Sequence, residues 1–487
     1  MTKSNHPMNS DSEFSIPIPD QRENEEHPST ITPYFIIGVV VLLIQLIAGW
    51  AGAYSALGLT PVQQVAFTIL LVSATSWFAE ILPLFVTGLV VLLMSLVWLQ
   101  PVMNSQIGPT PPSDFMAPFF SDVIILYLGG FVISRGMEQE ELNLRIVNSL
   151  LKYAGHSSAI LLLTVMGITG FFSMWLSNTS TTVMMLSVMS PILNHLPVGS
   201  SDRKRILLGI PFAANIGGLG TPVGTPPNAI VLANLRKVGS APDFLTWMSF
   251  GVPSVVFLIL IAWGILRITF KGGQAEMKSL PLRAVKPFQA STWVVLVTIL
   301  ATIVGWLMSD YHGVKTGTVA LIPVIIFFGG GILKPLVIRT LAWDVLLLMG
   351  GGLCLGEVID RTGLARVLVE RLDLETMSLY GMAIFLAFLS CLLSTIMSNT
   401  AAASLFMPLV ITMTATSLTP LGLGVAFGCS LAMALPVSTP PNALAFSFGG
   451  LKSREMVIPG GLISLCGLAF VGTIGWAMWK MIGLLGN

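Results

Sequence analysis

The sequence predicts an all-α polytopic membrane protein with about eleven transmembrane helices, two re-entrant helical hairpins and inverted repeats. Three observations predict this class: the composition, the length of the apolar stretches, and the polar motifs repeated inside them. Of 487 residues, 54% are hydrophobic and only 10% are charged, against roughly 25% charged in an average soluble domain. Apolar stretches of about 17 to 25 residues recur from Tyr34 onward, and an α-helix of that length crosses the hydrocarbon core of a bilayer.

The chain divides into a tail, a first helix and two repeats. Residues 1–33 are polar and acidic and lack the apolar core of a cleaved signal peptide, so we expect a disordered cytoplasmic tail. The first transmembrane helix follows within residues 34–60. The other predicted segments are repeat 1 at 61–272, with a hairpin at 157–196 and a broken helix at 205–235; a cytoplasmic linker at 273–290; and repeat 2 at 291–487, with a hairpin at 378–418 and a broken helix at 422–448. The predicted spans lie near 34–51, 62–80, 84–100, 121–136, 205–235, 246–270, 291–309, 317–333, 342–358, 422–448 and 458–483.

The basic residues support a topology with the N-terminus inside. With both hairpins re-entrant, the segments predicted to be cytoplasmic hold 17 of the 24 lysines and arginines. Basic loops stay in the cytoplasm, so this bias favours a multi-pass protein of a bacterial inner membrane with its N-terminus cytoplasmic. If each hairpin were instead one full crossing, residues 203–205 would move to the outside, which fits the bias less well.

Three strings of the first half return in the second half in the same order. The pairs are Ser173-Met-Trp-Leu-Ser-Asn-Thr179 with Ser394-Thr-Ile-Met-Ser-Asn-Thr400, Val223-Gly-Thr-Pro-Pro-Asn-Ala229 with Val437-Ser-Thr-Pro-Pro-Asn-Ala443, and residues 122–130 with residues 344–352. A single copy of either polar motif is a weak signal, because kinked membrane helices are common. Two ordered copies of both motifs indicate two repeats, and the predicted topology makes those repeats inverted, as in many transporters.

The repeated motifs have the chemistry of ion-binding helix ends. Ser-Asn-Thr supplies side chains that cap a helix N-terminus, where free N–H groups and the helix dipole favour an anion. Thr225-Pro226 and Thr439-Pro440 each predict the start of a half-helix, because proline is tolerated at the first helical position. Four glycines and a proline between Asn215 and Gly224 predict an unwound stretch, and its free carbonyl oxygens suit a hard cation such as Na⁺.

Other acidic residues in the spans have a plainer interpretation. Glu80 lies at the end of a predicted span, before Pro83. It could be a proton or ion site, but the nearness of the boundary favours an interfacial helix end. Glu357 and Asp360, beside Arg361, are interpreted as interfacial for the same reason.

Several function classes are excluded. No nucleotide-binding Gly-x-x-x-x-Gly-Lys-Ser/Thr string occurs, so we expect an ion gradient, and not ATP, to supply the energy. No cluster of catalytic acids, bases or metal ligands lies in the spans, so the chain is not predicted to be an enzyme, and we expect no organic cofactor. A net charge of +1 argues against a nucleic-acid partner. Dead-end hairpins do not form the continuous pore of a channel.

At these residues the sequence resembles the divalent anion:sodium symporter family, the dicarboxylate and citrate transporters, over nearly the whole chain after the tail. The resemblance implies a homodimer in which a scaffold domain carries the contact and a transport domain with both hairpins moves as an elevator. It implies a first sodium site at Ser173, Ser177, Asn178 and the Gly224 carbonyl, and a second at Ser394, the Met397 carbonyl, Asn399 and the Ser438 carbonyl. It implies substrate binding at Ser177, Asn178, Thr179, Thr225, Ser398, Asn399, Thr400 and Thr439.

The expected function is therefore sodium-coupled symport of a small di-anion across the bilayer, with Na⁺ as the coupling ion. A C4 dicarboxylate such as succinate, malate or fumarate is the first expectation. The alternatives are an anion exchanger, or a sodium-coupled carrier of sulfate, citrate or 2-oxoglutarate. Exchangers of this family tend to place a basic residue or histidine near the cation positions, and neither motif contains one. Two mirrored cation sites imply at least two ions, and the sequence does not locate a third.

Overall fold

The computed structural model describes residues 33–151, 157–272, 285–371, 377–413 and 417–485, and these residues form helices and no strand. The predicted tail and most of the predicted linker at 273–290 lie outside the described residues. The helices of the first half are α1 (Pro33–Trp50), α2 (Pro61–Phe78), α3 (Leu84–Met94), α4 (Gln100–Gln106), α5 (Ser113–Met116), α6 (Asp122–Gln139), α7 (Leu142–Leu151), α8 (Ser158–Ser173), α9 (Asn178–His195), α10 (Ser201–Gly217), α11 (Pro226–Lys237) and α12 (Phe244–Thr269).

The second half continues the same kind of structure. Its helices are α13 (Ala290–Leu307), α14 (Ser309–His312), α15 (Thr316–Val319), α16 (Leu321–Gly329), α17 (Trp343–Arg361), α18 (Leu364–Arg371), α19 (Leu379–Ile396), α20 (Asn399–Val410), α21 (Thr419–Leu431), α22 (Pro440–Ser447), α23 (Ser453–Phe470) and α24 (Trp476–Met481). Short 3₁₀ segments lie at Ala53–Leu57, Ala117–Phe120, Gly218–Gly220 and Pro335–Thr340, and π-helical turns join α3 to α4 and α23 to α24.

The two halves repeat one order of elements. A long helix, a short amphipathic helix, two helices separated by a short break, a helix in two pieces and a final long helix occur as α6 to α12 and again as α17 to α23. The repeated motifs fall at the same places in both sets: Ser-Asn-Thr begins α9 and α20, and Thr-Pro-Pro begins α11 and α22. The repetition seen in the sequence is thus a repetition of structure, while its inverted relation to a membrane stays a prediction.

The predicted hairpins are pairs of helices that double back. Gly209 lies against Leu162 and Met166, and Gly217 lies against Gly170, so α8 and α10 run side by side in the same direction. Helix α9 between them must therefore return the chain toward the start of α8. The Ser158 hydroxyl donates to the Asp202 carboxylate at 2.5 Å, which joins the start of the first hairpin to the start of α10.

The second half has the same arrangement. Gly424 lies against the Ala383 carbonyl and Gly428 against the Ala387 carbonyl, so α19 and α21 also run parallel and α20 runs back between them. Close contact between helix backbones is possible there because glycine has no Cβ.

Six helices of the described residues are long and apolar enough to cross a membrane, by length and composition. They are Leu84–Gln106, Ser113–Gln139, Phe244–Thr269, Ala290–Leu307, Leu379–Ile396 and Ser453–Met481. Five shorter apolar helices, among them α1 and α8, complete the apolar set. The first arm of the second hairpin, Leu379–Ile396, is itself long enough to cross, so the count of eleven spans and the re-entrant character of the hairpins stay predictions.

The ion pairs of the described residues separate into the two sides that the charge bias predicts. Lys204–Glu455 (2.6 Å) and Lys286–Glu141 (3.6 Å) join segments predicted to be cytoplasmic. Arg236–Asp122 (2.5 Å), Lys237–Glu357 (2.6 Å) and Arg361–Asp114 (2.8 Å) join segments predicted to lie outside. None of the ion pairs between described residues links one predicted side with the other.

Candidate binding site at the broken helices

The second pieces of the two broken helices begin where the sequence predicts. Thr225 and Thr439 are the N-caps of α11 and α22 with the same extended backbone, and a proline follows each at the first helical position. The Thr439 hydroxyl accepts from the Asn442 N–H at 3.3 Å, whereas the Thr225 hydroxyl makes no capping hydrogen bond. Both half-helix starts are confirmed, and both threonines are 3% exposed.

A first polar cluster joins α8, the start of α9 and both pieces of the first broken helix. The Ser173 hydroxyl lies 2.6 Å from the Asn178 amide and donates to the Ala214 carbonyl at 2.7 Å. The inward heavy atom of the Asn178 amide also lies 3.2 Å from the Ala214 and Gly224 carbonyl oxygens. When this atom is the amide nitrogen, it donates to all three oxygens. The structure thus brings together three members of the predicted first sodium site: Ser173, Asn178 and the Gly224 carbonyl.

The fourth predicted member of that site has a different role in this structure. The Ser177 hydroxyl accepts from the Ser180 N–H at 3.1 Å and donates to the Ser180 hydroxyl at 2.9 Å. It therefore caps α9, and its hydrogen bonds among the described residues go to Ser180 and not to Ser173. The Ala214 carbonyl, which the sequence did not point to, lies in the cluster.

A second cluster repeats the first in the other half. The Ser394 hydroxyl donates to the Asn399 amide oxygen at 2.6 Å and lies 3.2 Å from the Cys429 carbonyl. Ser394 is fully buried, as is Ser173. The Ser438 hydroxyl donates to the Thr395 carbonyl at 2.9 Å, which holds the break of the second broken helix against the end of α19. Met397 is 2% exposed, with extended backbone, directly before Ser398.

The Ser-Asn-Thr tips differ in exposure between the halves. Thr179 is exposed, whereas Thr400 is only 8% exposed. Ser398 is the N-cap of α20 without a side-chain capping bond. Each tip therefore presents hydroxyl groups beside the free N–H groups of a helix start.

Two asparagines of the Thr-Pro-Pro-Asn strings fix the breaks. Asn228 donates to the Gly218 and Thr221 carbonyls, both at 2.9 Å. Asn442 donates to the Met433 and Leu435 carbonyls, both at 3.0 Å. Both asparagines are fully buried. The motif therefore closes each unwound stretch on itself, a role that sequence reasoning missed although the asparagine is repeated in both strings.

The unwound stretch is shorter and less free than predicted. Helix α10 continues through Asn215 to Gly217 and is followed by one 3₁₀ turn. Beyond the two carbonyls bonded by Asn228, the Leu219 carbonyl accepts from the Trp247 indole at 3.0 Å, and the Pro222 and Thr225 carbonyls accept from the Tyr127 hydroxyl. The expectation that several carbonyls stand free for a cation was too broad, because buried side chains satisfy most of them. The Gly224 carbonyl is the one that faces the first cluster.

Asn215 links the two broken helices. Its amide nitrogen donates to the Thr439 hydroxyl at 3.1 Å and to the Asn442 amide oxygen at 3.2 Å. It directly follows Ala214, whose carbonyl belongs to the first cluster. The start of one half-helix is thus tied to the wall of the other cluster.

The acidic residues outside the motifs lie away from these clusters. Glu80 is exposed between α2 and α3, as an interfacial helix end should be. Glu357, interpreted as interfacial, lies near the C-terminal end of α17 and pairs with Lys237 at 2.6 Å and with Arg361 at 3.2 Å. Both pairs border a cavity of about 1120 Å³ that also contains Asp243 and Asp310. A hydrogen bond with Asp243 raises the pKa of the Asp310 carboxyl.

Residues 69–421 match a family model described as "Citrate transporter". The chain belongs to this citrate transporter family. The resemblance to the divalent anion:sodium symporters, with their dicarboxylate and citrate transporters, is confirmed, and the chain is a multi-pass membrane transporter and not an enzyme.

Relatives within the family are similar over most of their length. An "Uncharacterized transporter" of Haemophilus influenzae is 30% identical over 91% of this chain and 96% of its own length. A "Sodium-dependent dicarboxylate transporter SdcS" of Staphylococcus saprophyticus is 31% identical over 83% of both chains. The protein with the same description from Staphylococcus aureus is 29% identical over 88% of both chains.

A solved structure shares the fold. The Alcanivorax borkumensis YdaH transporter, whose crystal structure is described as revealing an unusual topology, aligns with 83% of this chain and 99% of its own. The TM-score is 0.52 at 13% sequence identity. At this identity the likeness concerns the fold alone, and it supports an all-helical transporter architecture.

Proposed function

We propose that this protein is a sodium-coupled symporter of a small di-anion, a C4 dicarboxylate such as succinate, malate or fumarate. The observation that carries the proposal is the pair of matching clusters, Ser173–Asn178–Ala214 and Ser394–Asn399–Cys429, each at a break in a broken helix. Two relatives are described as sodium-dependent dicarboxylate transporters. The proposed sites keep the residues named from the sequence, with the Ala214 and Cys429 carbonyls as neighbours of the cations.

The amide of Asn178 explains how the first cluster could respond to a cation. With its nitrogen inward, the amide satisfies three oxygen acceptors: Ser173 Oγ and the carbonyls of Ala214 and Gly224. With its oxygen inward, four oxygens converge and only the Ser173 hydroxyl can donate among them, an arrangement that a hard cation stabilises. Sodium entry would therefore turn the Asn178 amide and free its nitrogen toward the tip, where a carboxylate can accept from it.

The substrate carboxylates are proposed to lie at the two Ser-Asn-Thr tips, with Thr225 and Thr439 nearby. The starts of α9, α20, α11 and α22 offer N–H groups and the positive ends of helix dipoles. Each terminus is worth only about half an elementary charge, so dipoles alone would leave two buried carboxylates costly. No lysine or arginine lies in the four motifs. Sodium ions supply the missing positive charge.

The moving part is proposed to be the set of both hairpins and both broken helices, in a homodimer that works by an elevator mechanism in a bacterial inner membrane. The hydrogen bonds from Asn215 to Thr439 and Asn442 join the two broken helices across the repeats. Such a connection supports their movement as one body.

Uptake into sealed proteoliposomes tests the proposal. Radiolabelled succinate should accumulate with an inward sodium gradient and should not accumulate with the same gradient of potassium or choline. Accumulation without sodium, but with a counter-dicarboxylate inside, would favour the exchanger. Since the matching family model is described as "Citrate transporter", competition by citrate, sulfate and 2-oxoglutarate should be measured in parallel; any of these outcompeting succinate would replace it as the substrate.

A further inference from the structure

The Thr439 hydroxyl, at the start of α22, is restricted to one role. A hydroxyl group can accept two hydrogen bonds and donate one. The Thr439 hydroxyl oxygen accepts from the Asn442 backbone N–H at 3.3 Å and from the Asn215 amide nitrogen at 3.1 Å. Both acceptor positions are therefore filled. None of the hydrogen bonds between described residues uses its proton, so this hydroxyl is left as a donor.

Asn215 presents its nitrogen, and not its oxygen, to this hydroxyl because a neighbouring amide decides the orientation. The Asn442 amide nitrogen donates to the Met433 and Leu435 carbonyls, both at 3.0 Å, so the Asn442 amide oxygen faces the other way. Asn215 donates to that oxygen at 3.2 Å. An inverted Asn215 amide would set oxygen against oxygen at this contact.

The first half lacks this arrangement. The carbonyls of Ala214 and Cys429 face the equivalent serines of the two clusters. The residues that follow them, Asn215 and Ser430, therefore hold equivalent places in the repeats. The Ser430 hydroxyl has no partner among the described residues, and the Thr225 hydroxyl makes no capping bond. Within the described part of the chain, a donated amide thus restricts the threonine hydroxyl of the second half only.

We propose that Asn215 is a positioning residue for the substrate, because it makes the Thr439 hydroxyl a donor to a carboxylate. A carboxylate only accepts hydrogen bonds, so it matches a hydroxyl whose free group is its proton. Without the amide of Asn215, the Thr439 hydroxyl could turn and present a lone pair to the anion, which the anion repels. The inference rests on the proposed function, in which Thr439 lies near a substrate carboxylate.

The substitution Asn215→Ser tests this role, since the other half carries serine at the equivalent place. In proteoliposomes with an inward sodium gradient, the succinate concentration for half-maximal uptake should rise about tenfold, as expected when one hydrogen bond to a charged group is weakened. The maximal rate should change by less than about twofold, because the loss concerns binding. A wild-type half-maximal concentration in this variant would overturn the inference.

Asn234→Ser is the matched control. Asn234 is also a fully buried asparagine whose amide oxygen has no partner among the described residues, and its nitrogen donates to the Ile230 carbonyl of its own helix. Its substitution should leave the half-maximal succinate concentration unchanged.

The variant Thr439→Val separates positioning from a purely structural role. In this background the bond from Asn215 to Asn442 can still form, but no hydroxyl remains to be directed. Asn215→Ser should therefore raise the half-maximal succinate concentration no further than Thr439→Val does alone. The same rise in both backgrounds would mean that Asn215 acts by tying the broken helices together, and would overturn the inference. Thr439→Ser, which keeps the hydroxyl, should stay near the wild-type value.

Asn215→Asp covers the case in which Asn215→Ser does not fold. Aspartate keeps the size of asparagine, but its carboxylate supplies no N–H and itself accepts the Thr439 proton. The half-maximal succinate concentration should rise by more than about tenfold. An affinity equal to wild type in this variant would refute the role of Asn215.

The wild-type protein separates this inference from the proposed function. Absence of sodium-driven uptake in the wild type would remove the proposed function itself. Sodium-driven uptake in the wild type, with the same succinate affinity in Asn215→Ser, would remove only the role of Asn215.

Discussion

Asn178 and Asn399 take the same position in the two halves, each beside a fully buried serine and a helix start. Truncation of either side chain would remove two interactions with charged groups, one with a cation and one with a carboxylate. A hydrogen bond to a charged group is worth about 1.5–3 kcal/mol, so losing two should lower uptake by at least about a hundredfold. We expect Asn178→Ala and Asn399→Ala each to abolish sodium-driven succinate uptake while the protein still inserts and elutes as folded.

Asn234→Ala is the control for these variants. Asn234 is fully buried on α11, and within the described part of the chain its amide donates only inside its own helix, to the Ile230 carbonyl at 2.8 Å. Its truncation should leave most of the uptake. Uptake near wild type in Asn178→Ala or Asn399→Ala would contradict the assigned sites.

Gly224 allows the backbone of the break to approach the first cluster. A Cβ at this position would lie 2.4 Å from the Gly218 carbonyl oxygen, which is backbone and cannot rotate away. Gly224→Ala should therefore displace the Gly224 carbonyl, lower the unfolding free energy by about 1–3 kcal/mol and strongly reduce uptake. Gly167→Ala on α8 is the matched control, since a Cβ there meets nothing within 4 Å. Thermal unfolding of both purified variants checks this, and equal melting temperatures would show that the break tolerates a side chain.

At the scale of single residues, the sequence predicted where helices begin better than it predicted which residues hydrogen-bond to each other. Thr225, Thr439 and the Ser-Asn-Thr tips begin helices as their capping chemistry requires. The partners of Asn215 and Ser177 could not be predicted, because Asn215 bonds to residues more than 200 positions away and the Ser177 hydroxyl could serve equally as a cap or a ligand.

At the scale of elements, the C-terminal end of α11 is fastened to helices outside the hairpins. Arg236 pairs with Asp122 on α6, and Lys237 pairs with Glu357 on α17. The Lys237 and Glu357 side chains are 28% and 18% exposed, so their attraction is only partly screened. We expect the double-mutant cycle of Lys237→Met and Glu357→Gln to give a coupling energy of about 1 kcal/mol in thermal unfolding.

The Arg135–Glu138 pair is the reference for that cycle. It lies one turn apart on α6, with the two side chains 38% and 32% exposed. Its cycle should give no more than about 0.5 kcal/mol. A Lys237–Glu357 coupling energy no larger than this value would show that the ion pair does not stabilise the packing of α11 against α17.

Most helices could be placed from apolar length and from Pro, Gly and Ser-Asn-Thr breaks, because those signals are local. The extent of unwinding after Asn215 could not, since α10 continues to Gly217 and the carbonyls beyond it are bonded by Tyr127, Trp247 and Asn228. Those donors come from other turns and helices. The pairing of Glu357 was missed for the same reason: its partner Lys237 is on another element.

At the scale of the whole molecule, the ion pairs sort the charged residues into the two sides expected from the charge bias. Single cysteines in a cysteine-free background should therefore react from the cytoplasm at Lys204→Cys and Lys278→Cys and from outside at Arg361→Cys. Lys278 lies outside the described residues. Labelling of Lys204→Cys from the outside would contradict the hairpin assignment.

The repeated architecture could be predicted because short sequence motifs recur in the same order in both halves. The link between the repeats could not, since it depends on Asn215 meeting Thr439 and Asn442 across the two halves. The contact surface of the proposed homodimer could not be predicted either. Apolar residues such as Ile37 and Leu43 on α1 are exposed over the exterior, so an apolar dimer contact has no distinct signal in the sequence.

The central claim is that sodium and a dicarboxylate bind to this protein interdependently. The most direct measurement is the affinity of the purified protein for succinate at several sodium concentrations, together with its affinity for sodium at several succinate concentrations. Linkage requires that sodium tighten succinate binding by the same factor as succinate tightens sodium binding. The proposed site predicts a large and equal factor in both titrations, whereas the same succinate affinity in sodium and in choline would contradict it.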